Sequence, residues 1–169
     1  MNWDAVGAIG SILGAIAVVV TLFYLAAQMR QNTRAMRASA RQALIDTFYD
    51  HVWEMGRDAE LSDLIGRGLS DFDALSDTER ARFDHLLSRW EGNLLNGLLL
   101  HEAKLLDTET LNLIGDRFVA TVQTKGGSAW YALAGASPAV ATFIERRIAE
   151  ARAEIVDAAS LKPWWIYRK

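Results

Sequence analysis

The feature that most constrains this chain is an uncharged apolar run near its N-terminus. The run GAIGSILGAIAVVVTLFYLAAQ extends from Gly7 to Gln28. Residues 5–28 number 24, and a helix of that length measures about 36 Å. Because the hydrocarbon core of a bilayer is about 30 Å thick, residues 5–28 are predicted to form a transmembrane helix. Trp3 and Tyr24 stand near its two ends, where amphipathic rings favour the membrane interface.

Two other structures are compatible with such a run. A cleaved signal peptide has a basic region before a shorter apolar core, followed by a cleavage site with small residues. Here Met-Asn-Trp-Asp precedes the run, without Lys or Arg, so we favour an uncleaved helix. A buried helix of a soluble domain is the main alternative.

The charges beside the run predict its orientation. Arg30, Arg34, Arg37 and Arg41 follow it closely, and no acid occurs between Asp4 and Asp46. Because basic residues are retained on the cytoplasmic side, residues 1–4 are predicted outside and residues 29–169 in the cytoplasm.

Small and polar residues of the run recur at alternating steps of three and four. Small residues let membrane helices approach closely, and Gly10-x-x-x-Gly14 is a minimal form of that pattern. A 3.5-residue repeat favours a left-handed coiled coil. Thr21, Tyr24 and Gln28 are expected to be costly against lipid. We predict that this stripe self-associates, packs on another membrane protein or lines a pore; its members are Gly7, Gly10, Gly14, Ala17, Thr21, Tyr24, Gln28 and Gln31.

The alternative is that the stripe has no special role, because Gly and Ala are common in membrane helices and the polar residues reach lipid headgroups. The repeat does not stop at the membrane, however. It continues through Ala35, Ala38, Gln42, Ile45, Tyr49 and Val52.

The rest of the chain is predicted to be helical, which gives an all-α protein. The transmembrane helix continues as a stalk over residues 29–58 into a cytoplasmic antiparallel bundle over residues 59–158. A short helix is predicted at Glu60–Leu69. A capping box at Ser76–Glu79 and a cap at Asp107 predict the starts of two further helices, the second of which is predicted to end at Gly126-Gly127. A brief turn of helix is predicted around Trp130–Leu133, ending at Gly135. Ser137-Pro138 predicts the start of the last helix.

The tail at residues 159–169 ends in LKPWWIYRK. Because successive predicted helices run alternately away from and toward the membrane, the last one is expected to bring the tail back to the membrane. Its aromatic and basic residues then predict an interfacial anchor, formed by Trp164, Trp165, Tyr167, Arg168 and Lys169 together with Trp3. The alternative is that the tryptophans pack on the bundle or on a neighbouring subunit.

Composition excludes several classes of function. The chain has no cysteine, which excludes disulfides, thiolate metal sites and cysteine nucleophiles. Residues 42–169 carry 14 basic and 20 acidic residues, a net charge of −6 that argues against nucleic-acid binding.

No motif predicts a cofactor, a metal ion or a catalytic centre. Glu-x-x-His pairs, HExxH and phosphate-binding loops are all absent from the sequence. Asp46, Asp50 and Glu54 share a helix face. We interpret it as a solvated acidic surface, and a cation site is the alternative. Asn93, Asn96 and His101 are predicted to form a buried polar cluster.

The N-terminal residues resemble a family of uncharacterised bacterial single-span membrane proteins. The resemblance is carried by Trp3, Gly7-Ala8-Ile9-Gly10, Tyr24-Leu25 and Arg30-Gln31-Asn32-Thr33, and it is looser beyond about residue 40. Ser11 stands where such relatives carry an acid. The resemblance implies a bacterial inner membrane and a single span, and it implies no activity.

The expected function is therefore non-enzymatic. We expect a homo-oligomer that acts as a small pore or a membrane assembly platform. An accessory or sensor subunit bound to another membrane protein is the second hypothesis, and a membrane-anchored enzyme is the third.

Overall fold

The described part of the protein is helical throughout. The computed structural model describes residues 3–153, and no strand occurs among them. The prediction of an all-α protein is thereby confirmed; the tail anchor at residues 164–169 lies outside the described residues. The helices are α1 (Trp3–Arg57), α2 (Ala59–Ser70), α3 (Asp77–Glu102), α4 (Thr108–Val122), α5 (Lys125–Ala134) and α6 (Pro138–Ala153), with a 3-10 turn at Phe72–Ala74.

Internal contacts divide the chain into two compact units. The N-terminal unit comprises residues 1–39, and the C-terminal unit comprises residues 40–169. Helix α1 contains both the predicted membrane segment and the predicted stalk. The division falls inside that stalk, so the last eighteen residues of α1 belong to the C-terminal unit.

Short polar side chains start the helices of the C-terminal unit, because they satisfy backbone N–H groups that lack an intrahelical partner. Asp58 accepts from the N–H of Glu60 at 2.9 Å, and Asp107 accepts from the N–H of Thr110 at 2.8 Å. Glu79 accepts from the N–H of Ser76 at 2.9 Å, as expected for the predicted capping box. The predicted starts of α3 and α4 are therefore confirmed.

A chain of aromatic rings forms the centre of the C-terminal unit. Trp90 of α3 lies 6.1 Å from Phe48 of α1 and 6.1 Å from Phe118 of α4, between ring centroids. Phe118 in turn meets Trp130 of α5 edge-on at 6.4 Å. The indole N–H of Trp130 donates to Asp84 at 2.8 Å. One line of contacts thus joins four helices.

Gly126 and Gly127 do not end a helix, and this prediction is wrong. Helix α4 ends at Val122, and both glycines lie in the first turn of α5. Thr124 caps α5 by accepting from the N–H of Gly127 at 3.0 Å. A Cβ on Gly126 would lie 1.8 Å from the carbonyl oxygen of Gly68. The glycine is therefore required by close approach of α5 to α2, which sequence spacing does not reveal.

The chain turns sharply after α3. Helix α3 ends at Glu102, and Lys104 has a φ of 60°. The reversal of the chain places Leu106 in the core and leaves Leu105 half-buried.

Gly126→Ala should destabilise the C-terminal unit by about 3 kcal/mol or more, because the backbone of Gly68 cannot move away as a flexible side chain would. The matched control is Gly92→Ala in the exposed interior of α3, where a Cβ meets nothing within 4 Å. That control should stabilise the protein by up to about 1 kcal/mol. Thermal unfolding measures both, and equal stability of the two variants would contradict the close approach.

Candidate functional site

The predicted stripe lies on an exposed surface of the N-terminal unit. Every stripe residue from Ala17 to Gln31 is exposed, and so are Gly7 and Gly14; Gly10 lies within the same helix. Bulky apolar residues on the other faces are exposed as well. They include Ile12, Leu13, Ile16, Val19, Leu22 and Phe23.

Helix α1 is long and apolar enough to cross a membrane by length and composition. None of its most apolar 18-residue window is buried within the described chain. A core helix of a soluble domain would be largely buried by its own chain, so the main alternative from the sequence is not what the structure shows.

Gly7 and Gly14 have no packing reason within the part of the chain that the structure describes. A Cβ built on Gly7 or on Gly14 meets nothing within 4 Å. Glycine in a helix interior costs about 0.5–1 kcal/mol relative to alanine. The C-terminal unit shows the contrast, because Gly68, Gly115 and Gly126 each have neighbours that a Cβ would strike.

Thr21 has a hydrogen-bond partner within its own helix, so the free energy of placing its side chain against lipid is less unfavourable than the sequence predicts. Its hydroxyl donates to the carbonyl oxygen of Ala17 at 2.8 Å, one turn earlier. Ser11 is bonded in the same way to Gly7 at 3.0 Å. Such bonds satisfy a hydroxyl donor inside a membrane helix. Within the described chain Tyr24 and Gln28 make no such bond. The stripe side chains that need a polar partner therefore lie near its C-terminal end.

The four arginines predicted to set the topology form an exposed row along α1. Arg30, Arg34, Arg37 and Arg41 are all exposed. Each is followed directly by a position of the extended repeat: Gln31, Ala35, Ala38 and Gln42. One residue turns a helix by about 100°. The basic row is therefore beside the stripe and not on it.

In the C-terminal unit the core row of α1 is not the extended stripe. Leu44, Phe48, His51 and Met55 are buried, whereas Ile45, Tyr49 and Val52 each stand one residue later, about 100° around the helix. Tyr49 is 60% exposed, and Trp53 is 67% exposed.

These exposed residues line an apolar groove between α1, α2 and α3. The groove has a volume of about 740 Å³. Its α1 wall carries Tyr49, Val52, Trp53 and Gly56, and its floor and far wall are formed by Ile65, Leu69, Leu87 and Trp90. Asp50 and Arg57 are charged residues at its lining. Sequence reasoning missed this groove, because the spacing of apolar residues does not show which face of α1 stays uncovered.

A small polar pocket is also lined by Trp90. His51 is 3% exposed, and neither of its ring nitrogens has a hydrogen-bond partner. The indole nitrogen of Trp90 and the side-chain oxygen of Asn93 are likewise buried without a partner. The cavity beside them measures about 10 Å³, which suits nothing larger than a water molecule.

Burial lowers the pKa of His51 below its usual 6.5, with a further contribution from the charge of Arg89 that Glu54 partly opposes. A neutral ring is therefore favoured in the folded protein.

The predicted cluster of Asn93, Asn96 and His101 is wrong. Asn96 is exposed, and Nδ1 of His101 lies 3.0 Å from the carbonyl oxygen of Leu106. Asn93 instead faces His51 of α1 across the small pocket. Among the described residues no group of three or more His, Cys, Asp or Glu side chains is arranged to hold a metal ion.

Comparison of the chain with protein-family models, curated proteins and solved structures gives no match. The resemblance of the first forty residues to bacterial single-span proteins therefore stays an expectation.

The buried His51 should make stability depend on pH. Because the pKa of His51 is lowered in the folded protein, protonating the buried ring favours unfolding. Its contribution to the free energy of unfolding is therefore complete above about pH 6.5 and is lost as the pH falls through the folded pKa. We expect His51→Phe to show a smaller loss of melting temperature between about pH 7.5 and about pH 5.5 than the wild type.

The control is His85→Asn, since the side chain of His85 is 86% exposed. It should keep the wild-type pH dependence. If His51→Phe does not fold, His51→Gln serves the same purpose. A wild-type loss retained in the His51 variants would contradict this account.

Proposed function

We propose that this chain is a non-enzymatic single-span membrane protein that associates with itself through the stripe from Gly7 to Gln31. The observation that carries the proposal is the exposed backbone at Gly7 and Gly14, where a Cβ would touch nothing. Glycine at such positions costs helix stability and gains nothing within one chain. Close approach of a second helix supplies the missing reason.

The exposed bulky faces of α1 support a bilayer as their surroundings. Large apolar patches on soluble proteins mark interaction surfaces or membrane contact. Exposed Leu, Ile, Val and Phe side chains of α1 extend over residues 12–25, a length suited to most of a hydrocarbon core. The glycines lie on a stripe among them, which separates a lipid-facing surface from an associating one.

The basic row supports a cytoplasmic C-terminal unit. The four arginines at residues 30–41 follow the apolar run directly. We therefore propose that residues 1–4 are outside and that residues 29–169 are in the cytoplasm, in a bacterial inner membrane. Connections of a few residues between α3, α4, α5 and α6 further support antiparallel neighbours in a bundle.

Self-association then presents several copies of the C-terminal unit together, which is the arrangement of an assembly platform. A small pore is the second candidate, favoured by Tyr24 and Gln28 at the polar end of the stripe. The internal hydrogen bond of Thr21 weakens the argument for water along the whole stripe. Packing of the same stripe on a different membrane protein is the alternative to self-association.

Gly14→Leu should break self-association, because the added side chain blocks close approach of the helices. We expect at least about tenfold weaker association, or about 1.4 kcal/mol. The matched control is Ala15→Leu, the neighbouring small residue outside the stripe. Mass measurement in lipid nanodiscs reports the assembly. A wild-type monomer, or equal loss in both variants, would rule out the stripe as the contact.

The same mass measurement separates the candidates. A closed ring of about five or more copies leaves room for a lumen, and a dimer or trimer does not. For a ring, Gln28→Ala should change ion flux in liposomes by about threefold or more. Thr21→Ala should leave the flux unchanged, since that hydroxyl is bonded to its own helix. Identical flux in all three proteins argues against a pore lined by this stripe.

A further inference from the structure

We propose that the groove between α1, α2 and α3 is the docking site of the chain's own C-terminal tail, with Trp164 and Trp165 as its anchors. The groove lies entirely within the C-terminal unit. The inference is independent of self-association through the membrane stripe, and the two can fail separately.

The first argument is the unpartnered apolar surface of the groove. Tyr49 and Trp53 stand on its α1 wall with about two-thirds of their surface exposed. A buried aromatic side chain removes about 150–250 Å² of surface from water. Leaving two such rings uncovered is therefore costly, and the volume of about 740 Å³ accommodates several side chains of a docked segment.

The second argument is the length of chain that follows α6. Sixteen residues, 154–169, come after the end of α6 at Ala153. Trp164 is eleven residues beyond that end, which allows a reach of about 36 Å in an extended chain. A compact unit of roughly 110 residues has a radius of gyration of about 13 Å and is about 35 Å across. The reach of the tail is therefore comparable to the width of the unit that carries the groove.

The third argument is complementarity in chemistry. The segment LKPWWIYRK supplies two tryptophans, one tyrosine and two aliphatic residues, which match an aromatic-lined groove. Its charges are the basic residues Lys162, Arg168 and Lys169, and it has no acid.

The charged residues that line the groove are Asp50 and Arg57, so the lining has no net charge. Asp50 is the acid that a basic residue of the tail can pair with. Because exposed ion pairs contribute little to stability, the aromatic side chains of the tail carry the docking.

The absence of native cysteine makes a disulfide test clean. The test pair is Gly56→Cys with Ile166→Cys in the full chain, reconstituted in lipid nanodiscs and oxidised with copper–phenanthroline. Gly56 lies at the groove, and a Cβ there meets nothing within 4 Å, so the change removes no contact. Disulfides require Cα atoms within about 7 Å.

The control pair is Leu113→Cys with Ile166→Cys. Leu113 is exposed on α4, one turn from Asp116, which pairs with Arg147 of α6 at 2.7 Å. An undocked tail therefore meets this position readily. If the tail docks, the groove pair should form an intramolecular disulfide about tenfold or more faster than the control pair, because docking raises the local concentration above that of a free tether.

Replacing both anchors by Trp164→Ala and Trp165→Ala should lower the groove rate to that of the control. Three results would overturn the proposal. They are equal rates for the two pairs, as expected of a tail held at the membrane surface; a disulfide between two chains only; and an unchanged rate in the double alanine variant. Repeating the test in Gly14→Leu separates tail docking from helix association.

Discussion

Burial of Trp90 is the contact on which the C-terminal unit depends. Its ring meets Phe48 of α1 and Phe118 of α4, and Phe118 extends the same contact to Trp130 of α5. Rings of this size contribute much of a core's apolar surface. Trp90 also lines both the groove and the small polar pocket. The groove and the small polar pocket thus share one side chain.

The same ring explains why two unlike sites are neighbours. Residues of α1 and α2 line an apolar groove that Trp90 also lines. In the small pocket, His51 and Asn93 are enclosed beside the same ring without partners for some of their polar atoms. Buried polar atoms without hydrogen bonds are costly. The pocket is therefore a weak point of an otherwise apolar core, while the groove is a surface open to a segment of chain.

The N-terminal unit obeys a different constraint. Its described side chains are exposed and form no core of their own. Period and composition divide the helix into faces, and the spacing of Gly7, Gly14, Ala17 and Thr21 predicts an associating stripe, which stays a prediction. The spacing did not predict the hydrogen bond of Thr21 to Ala17, because that bond joins a side chain to the backbone of its own helix.

By itself, the sequence determined the all-α class, the length of the apolar segment and the helix starts at Ser76 and Asp107, because these depend on local hydrogen bonding and on runs of apolar residues. Only the tertiary structure decided the role of Gly126, which is set by the carbonyl of Gly68 on a distant helix. It also decided that Phe48 is buried while Tyr49 is exposed. Both are aromatic neighbours, and which face of α1 meets Trp90 depends on packing that periodicity alone does not specify.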